Sequence, residues 1–205
     1  MIPAKEALEQ ALRERQGAEL TARFSAAAVA VCGLGGLGSH IAGFLARAGV
    51  GRLILIDFDR VDLTNLHRQQ YKASQVGRYK TEGEAAPSLS LELRTVRLTA
   101  ENVPSLLEGA DVICEALDEA AAKAMLVNTV LEQLPEKLLV AASGMGGLGG
   151  ANPIHTRRLT GRFYLCGDGV SDVADGIGLV APRVALCAAH QAHMVLRILS
   201  EHFEP

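Results

Sequence analysis

The 205-residue sequence has no tryptophan, three tyrosines and five phenylalanines, so its apolar content is mainly aliphatic. Its four cysteines, Cys32, Cys114, Cys166 and Cys187, are scattered and form no C-x-x-C pair. That spacing argues against a disulfide framework and a four-thiolate zinc site, and the expected setting is a reducing cytoplasm. Net charge is also scarce, at -3. Nothing here supplies the basic surface that nucleic acid requires, so no nucleic-acid partner is expected. No apolar run approaches the ~20 residues that cross a bilayer. Lys5, Glu6, Glu9, Arg13 and Glu14 interrupt the N-terminal segment, which therefore lacks the apolar core of a signal peptide and implies no membrane association.

What is present is apolar residue, at 49%, and glycine, 21 in all. This is the composition of a compact α/β protein, and the length suits one domain over residues 1–205. Helical spacing of Leu8, Leu12 and Leu20 predicts a helical lead-in over 4–24. Short apolar runs predict buried strands at 28–32, 53–56, 112–116 and 138–142, and alternation predicts another at 91–98. Helices are expected at 39–48, 120–133 and 181–199, with a helix start at 81–87. Residues 62–79 read as a long polar loop with a helical turn or two. The glycine-rich stretch 144–150 fits no regular element, and 157–165 reads as one or two antiparallel strands. The expected fold is Rossmann-like: an open, mostly parallel sheet flanked by helices, antiparallel toward its C-terminal end.

Gly33-Leu34-Gly35-Gly36-Leu37-Gly38 matches G-x-G-x-x-G between a predicted strand and a predicted helix. Glycine allows a tight turn, close approach to a phosphate and close helix–strand packing, and the helix N-terminus attracts an anion. Asp57 follows 19 residues after Gly38, at the end of the next strand, where a carboxylate can accept from ribose hydroxyls. The bland alternative is a loop that merely packs a helix on a strand. The motif indicates a nucleotide without choosing one, since a dehydrogenase shares it.

The choice falls to Asp57-Phe58-Asp59-Arg60-Val61 and Thr64-Asn65-Leu66-His67-Arg68-Gln69, then Val76-Gly77-Arg78-Tyr79-Lys80, then Asp118. A hydride-accepting pocket has no use for such a series. A triphosphate does: Arg68 offers a fork, Lys80 a compact point charge, and Asp118 a carboxylate suited to magnesium. In this order the motifs resemble the E1-like activating enzymes, which include ThiF, MoeB and the adenylation domains of ubiquitin E1s. The resemblance covers roughly residues 28–118. The later Tyr164-Leu165-Cys166-Gly167-Asp168-Gly169 and Ala181-Pro182-Arg183-Val184 are similar to the short ThiF-like sulfur carrier adenylyltransferases.

The resemblance implies ATP and Mg as cofactors, and attack by the C-terminal Gly-Gly carboxylate of a small ubiquitin-like sulfur carrier such as ThiS, of thiamine thiazole biosynthesis. Gly33, Gly35, Gly36 and Gly38 would cradle the nucleotide, Asp57 would hold the ribose, and Asn65, Arg68 and Gln69 would meet the phosphates. Lys80 would stabilise triphosphate charge and Asp118 would hold magnesium. It also implies a homodimer in which an N-terminal arginine enters the partner's site: Arg15 is the candidate, with Arg13 and Arg23 as alternatives. Another carboxylate, on the molybdopterin synthase carrier or a modified tRNA nucleoside, is a second reading; a non-catalytic carrier-binding scaffold is a third.

The chain departs from its relatives in lacking paired C-x-x-C motifs and in placing Glu119, not Asn, after Asp118. Cys166, flanked by Gly167, Asp168 and Gly169, is the one late-loop thiol that could take part in sulfur transfer, although a buried apolar role is the commoner one. Cys32 and Cys114 fall within predicted strands. His40 reads as a surface or cap residue, and His190 and His193 share a helix face without a third ligand. The glycines of 144–150 could admit a thin carrier tail or serve only as a connection.

Overall fold

Seven strands form one sheet in the order β3-β2-β1-β4-β5-β7-β6, parallel except for the last pair. The computed structural model describes residues 5–82 and 90–205. The strands are β1 (Ala28–Cys32), β2 (Arg52–Ile56), β3 (Ser90–Arg94), β4 (Val112–Glu115), β5 (Leu138–Ala142), β6 (His155–Thr160) and β7 (Phe163–Gly167). The helices are α1 (Lys5–Gln16), α2 (Ala18–Ala26), α3 (Gly36–Ala48), α4 (Val103–Leu107), α5 (Ala120–Gln133) and α6 (Ala181–Leu199).

The central strands read as continuous apolar runs because both sheet faces are covered. Alternate residues then feed two cores. Val29, Val31, Leu53, Leu55, Val112, Cys114 and Val140 pack with α3 and α6 on one side. Ala30, Cys32, Ile54, Ile56, Ile113 and Leu139 pack with α4 and α5 on the other. At the edges the pattern changes: β3 (SLELR) and β6 (HTRRLT) are largely half-buried or exposed.

The expected architecture stands, with local corrections. The lead-in is two helices, because Gly17 (φ 90°) takes a conformation that ends α1 before Ala18 starts α2. The 91–98 strand ends at Arg94, and α4 has no counterpart in the sequence reading: one short turn pair leaves too few residues to show a period. Of the helix start expected over 81–87, Thr81 lies in a single 3₁₀ turn, Lys80–Glu82, and 83–87 lie outside the described residues. The antiparallel strands of 157–165 are the β6–β7 hairpin, with a register shift between Arg158 and Thr160.

Topology places the site. The chain moves outward from β1 to β2 and β3, then returns to add β4 on the opposite side of β1. This reversal opens a crevice beyond the C-terminal ends of β1 and β4, where ligands bind in open α/β sheets. The β4–β5 ladder ends at Cys114↔Val140. Buried Gln191 of α6 spans the divergence, its Nε2 donating to the Glu115 carbonyl (2.9 Å) and the Val140 carbonyl (3.2 Å).

Candidate nucleotide site

A cleft of about 770 Å³ opens at this crevice. Its floor is the glycine loop. Gly33 has φ 93°, and a Cβ there would stand 2.7 Å from the Ala116 carbonyl oxygen. A Cβ on Gly38 would come within 1.8 Å of the Gly33 carbonyl oxygen, so this glycine serves close packing of α3 on the loop. Gly33, Gly35 and Gly36 line the cleft, and Gly38 does not. The Gly35 side of the loop is held by Ser39, whose hydroxyl donates to the Gly35 carbonyl (2.7 Å) and accepts from the Gln70 amide (3.1 Å).

Asp57, at the end of β2, is buried beside this loop. Its carboxylate accepts from the amides of Leu34 (2.6 Å) and Asp59 (2.7 Å). Burial pushes the carboxyl above its ordinary range, against the opposing pull of Lys80 and those two amides. Asp57 therefore shapes the loop as well as facing the cleft.

Lys80 comes from the far end of a long excursion, residues 57–80, yet returns to the same point. Its amide donates to the Asp59 carbonyl (3.0 Å), and its Nζ lies 2.8 Å from Asp59 Oδ2 and 3.8 Å from Asp57 Oδ2. The Lys80 side chain is 7% exposed, and the residue lines the cleft. Arg68 and Gln69 line it too. Arg68 Nε and Gln69 Oε1 are buried with no hydrogen-bond partner among the described residues. Buried polar groups ordinarily find partners, and these two orphans belong to residues that line the cleft.

Asp118 is exposed in the β4–α5 connection and lines the cleft. Among the described residues no group of three or more His, Cys, Asp or Glu converges as a metal site. A single carboxylate offering hard oxygen to a cation that keeps water and phosphate oxygens fits magnesium's usual mode.

Asn65 is used elsewhere, and Arg15 is expected not in this cleft but in that of a partner subunit. Asn65 does not line the cleft; its Oδ1 accepts from the Asp62 amide (3.3 Å), and the pair form a capping box on the 3₁₀ turn Leu63–Asn65. Arg15 is exposed near the end of α1 and does not line the cleft. Of its alternatives, Arg23 is engaged with Glu19 (3.2 Å) and Glu201 (2.9 Å).

Other expectations change. His40 is buried on α3, 8% exposed, and burial lowers its pKa. Cys166 belongs to β7, not to a loop, and is fully buried. Burial pushes its thiol up to about 11, so the nucleophilic thiolate is scarce at neutral pH. His190 hydrogen-bonds Thr156 through Nδ1 (3.2 Å) and lies with His193 at a second pocket, lined also by His155 and Thr156 of β6 and by Met194.

The sequence reading missed three contributors. Phe58 and Arg97 line one wall, the guanidinium 4.6 Å from the ring centroid. Lys123, one turn into α5, lines the cleft near Asp118. Its spacing of five residues from Asp118 was visible, but its ion-pair partner inside a strand was not. The mouth is flanked by 143–146 and by Ser171–Val173 with Ile177–Leu179. Buried Arg183 ties these loops, donating to the Gly150 carbonyl (2.6 Å) and pairing with Asp168 (2.6 Å).

The ThiF family profile matches residues 8–205. The adenylyltransferase and sulfurtransferase UBA4 of Yarrowia lipolytica is 32% identical over 195 residues, covering 86% of this chain and 48% of that protein. The adenylyltransferase and sulfurtransferase MOCS3 of Anopheles gambiae is 33% identical over 187 residues, covering 84% of this chain and 41% of that one. The chain thus spans about half the length of the curated relatives it matches. The E. coli tRNA N6-threonylcarbamoyladenosine dehydratase TcdA, solved in complex with AMP, superposes with a TM-score of 0.83 at 22% identity, covering 94% of this chain and 93% of that one. E. coli MccB with ATP gives a TM-score of 0.67 at 24% identity, covering 91% and 59%.

Proposed function

The chain belongs to the ThiF family, and on that premise we propose that residues 1–205 form one E1-like adenylation domain. It uses ATP to activate the C-terminal Gly-Gly carboxylate of a small ubiquitin-like sulfur carrier, for which a ThiS-like protein is the favoured substrate. The observation that carries this reading is the cleft itself. The glycine loop, the buried carboxylate of Asp57, the cations of Arg68 and Lys80 and the exposed carboxylate of Asp118 all line it at the sheet's switch point. A phosphate-free carrier-binding scaffold has no need for the unpartnered Arg68 and Gln69 atoms.

In the proposed mechanism a carboxylate oxygen of the carrier attacks the α-phosphorus of ATP. The new O–P bond forms as the bond to the bridging β-phosphate oxygen breaks, and pyrophosphate leaves with that electron pair. No general base is required, because a carboxylate is already ionised at pH 7. The work is positioning and charge neutralisation. The Gly35 and Gly36 amides and the N-terminus of α3 meet phosphate oxygens. Arg68 and Gln69 complete that cradle, Lys80 balances the triphosphate from its seat on Asp59, and Asp57 orients the ribose. Asp118 would hold Mg²⁺, which when bound neutralises phosphate charge. A homodimer would add Arg15 from the partner subunit. The sulfur-carrier substrate is favoured over tRNA by the acidic net charge.

The test is carrier-dependent exchange of labelled pyrophosphate into ATP. Purified protein should exchange with a Gly-Gly carrier, and not with the same carrier lacking its last two residues. Absence of exchange across a panel of Gly-Gly carriers, with exchange driven instead by a carboxylate-bearing tRNA, would move the assignment to the tRNA branch. Cys166→Ser tests the thiol separately. The exchange rate is expected to stay at the wild-type level, with stability lower by about 1–3 kcal/mol for the added buried hydroxyl. A folded Cys166→Ser protein that no longer exchanged would give the thiol a chemical role.

A further inference from the structure

Glu115 closes β4 and is 1% exposed, a position where a lone carboxylate is strongly disfavoured. Lys123 neutralises it from the end of the first turn of α5, with Nζ 2.8 Å from Oε1 and 2.9 Å from Oε2. The same ion pair grips the intervening backbone at both of its polar groups. The Leu117 amide donates to Glu115 Oε1 (2.8 Å), and the Leu117 carbonyl accepts from Lys123 Nζ (2.9 Å). The preceding residue is tied as well, the Ala116 amide donating to the Cys32 carbonyl (2.9 Å) and the Glu115 carbonyl accepting from Gln191 (2.9 Å). Asp118 is the next residue along. It is exposed in the cleft, and no hydrogen bond or ion pair engages its carboxylate among the described residues.

We propose that Lys123 and Glu115 are a positioning pair that holds the Leu117–Asp118 peptide so that the Asp118 carboxylate meets the divalent cation of the nucleotide complex. The inference rests on the adenylation reading above. An ion pair needed only for stability could bridge any two elements. This one spends its remaining donor and acceptor capacity on the residue that precedes Asp118, and its ammonium borders the cleft. All three Lys123 protons are thereby satisfied by protein oxygens, so Lys123 acts through Asp118 and not on the phosphates.

The experiment separates metal from nucleotide. Mn²⁺ is titrated into protein saturated with a non-hydrolysable ATP analogue, and the free ion is read by electron paramagnetic resonance. Nucleotide affinity is measured apart, in EDTA, with a fluorescent ATP analogue. Lys123→Met is expected to weaken Mn²⁺ binding about tenfold or more, as loss of an outer-shell partner typically does, with metal-free nucleotide affinity within about twofold of wild type. Lys123→Arg, which keeps the charge, should retain most of the metal affinity. In an Asp118→Asn background the Lys123→Met change should cost no further metal affinity. Should Lys123→Met not fold, the double variant Glu115→Gln/Lys123→Met leaves no buried charge and carries the same expectation.

Wild-type Mn²⁺ affinity in folded Lys123→Met or in folded Glu115→Gln/Lys123→Met overturns the proposal, and so does equal weakening of metal and nucleotide. A wild-type protein that binds nucleotide but no Mn²⁺ sinks this proposal alone; one that binds no nucleotide sinks the reading beneath it.

Discussion

Asp118→Ala is expected to slow carrier-dependent pyrophosphate exchange by about 10²–10³-fold, the effect of removing one preorganised charge-stabilising group from a site of this kind. The fold should not notice. Asp118 is exposed and engages nothing among the described residues, so truncation should change stability by no more than about 0.5 kcal/mol. That separation makes it the cleanest probe of the site. Lys80→Ala is less so: the lysine is 7% exposed between Asp59 and Asp57, and its loss strands carboxylates as well as removing a phosphate partner. Equal thermal transitions for Asp118→Ala and wild type, with a collapsed exchange rate, are the predicted pair of results. A wild-type exchange rate would show that the cation is held elsewhere, and would remove Asp118 from the mechanism.

The legibility of this protein follows range along the chain. The βαβ unit over 28–56 is local, so its apolar runs and glycines were readable, and β1, β5, α5 and α6 have the bounds expected of them. Arg68, Lys80, Asp57 and Asp118 were legible as a series because charged residues at strand ends and after a glycine loop have few structural uses. What escaped was long-range or spent locally. Lys123 finds its partner in β4, and Arg97 meets Phe58 only because β3 lies beside β2. Asn65 sits in a matching motif, but its side chain is used on the backbone of its own turn. Cys166 looked like a loop thiol from its flanking glycines, whereas pairing with β5 carries the strand through it to Gly167.

Arg183→Met should bring the largest loss of stability, about 3–5 kcal/mol, because it removes one partner of a buried ion pair and leaves the other charged. Arg183 and Asp168 are 6% and 7% exposed and 2.6 Å apart. Burial opposes the charge on Asp168, but the amides of Ser171 and Val170, the Ser171 hydroxyl and Arg183 overcome it and hold the carboxyl well below the usual range. A depressed carboxyl contributes stability that is complete above its unfolded value of about 3.9 and is lost as pH falls toward the folded value. Wild-type stability should therefore decline below about pH 4, and Asp168→Asn should remove part of that decline. The double variant Asp168→Asn/Arg183→Met, which strands no charge, should recover part of the loss seen for Arg183→Met alone.

The functional consequence follows from what the pair holds. Arg183 reaches the Gly150 carbonyl, while Asp168 caps the turn that begins the other loop at the cleft mouth. If a carrier tail enters between these loops, Arg183→Met at a temperature where it remains folded should raise the KM for carrier far more than the KM for ATP. A denaturant midpoint equal to wild type would show the pair to be energetically idle. A parallel rise in both constants would place the tail's route elsewhere, since the glycine loop proposed to meet the phosphates lies between β1 and α3, and no Arg183 hydrogen bond reaches it among the described residues.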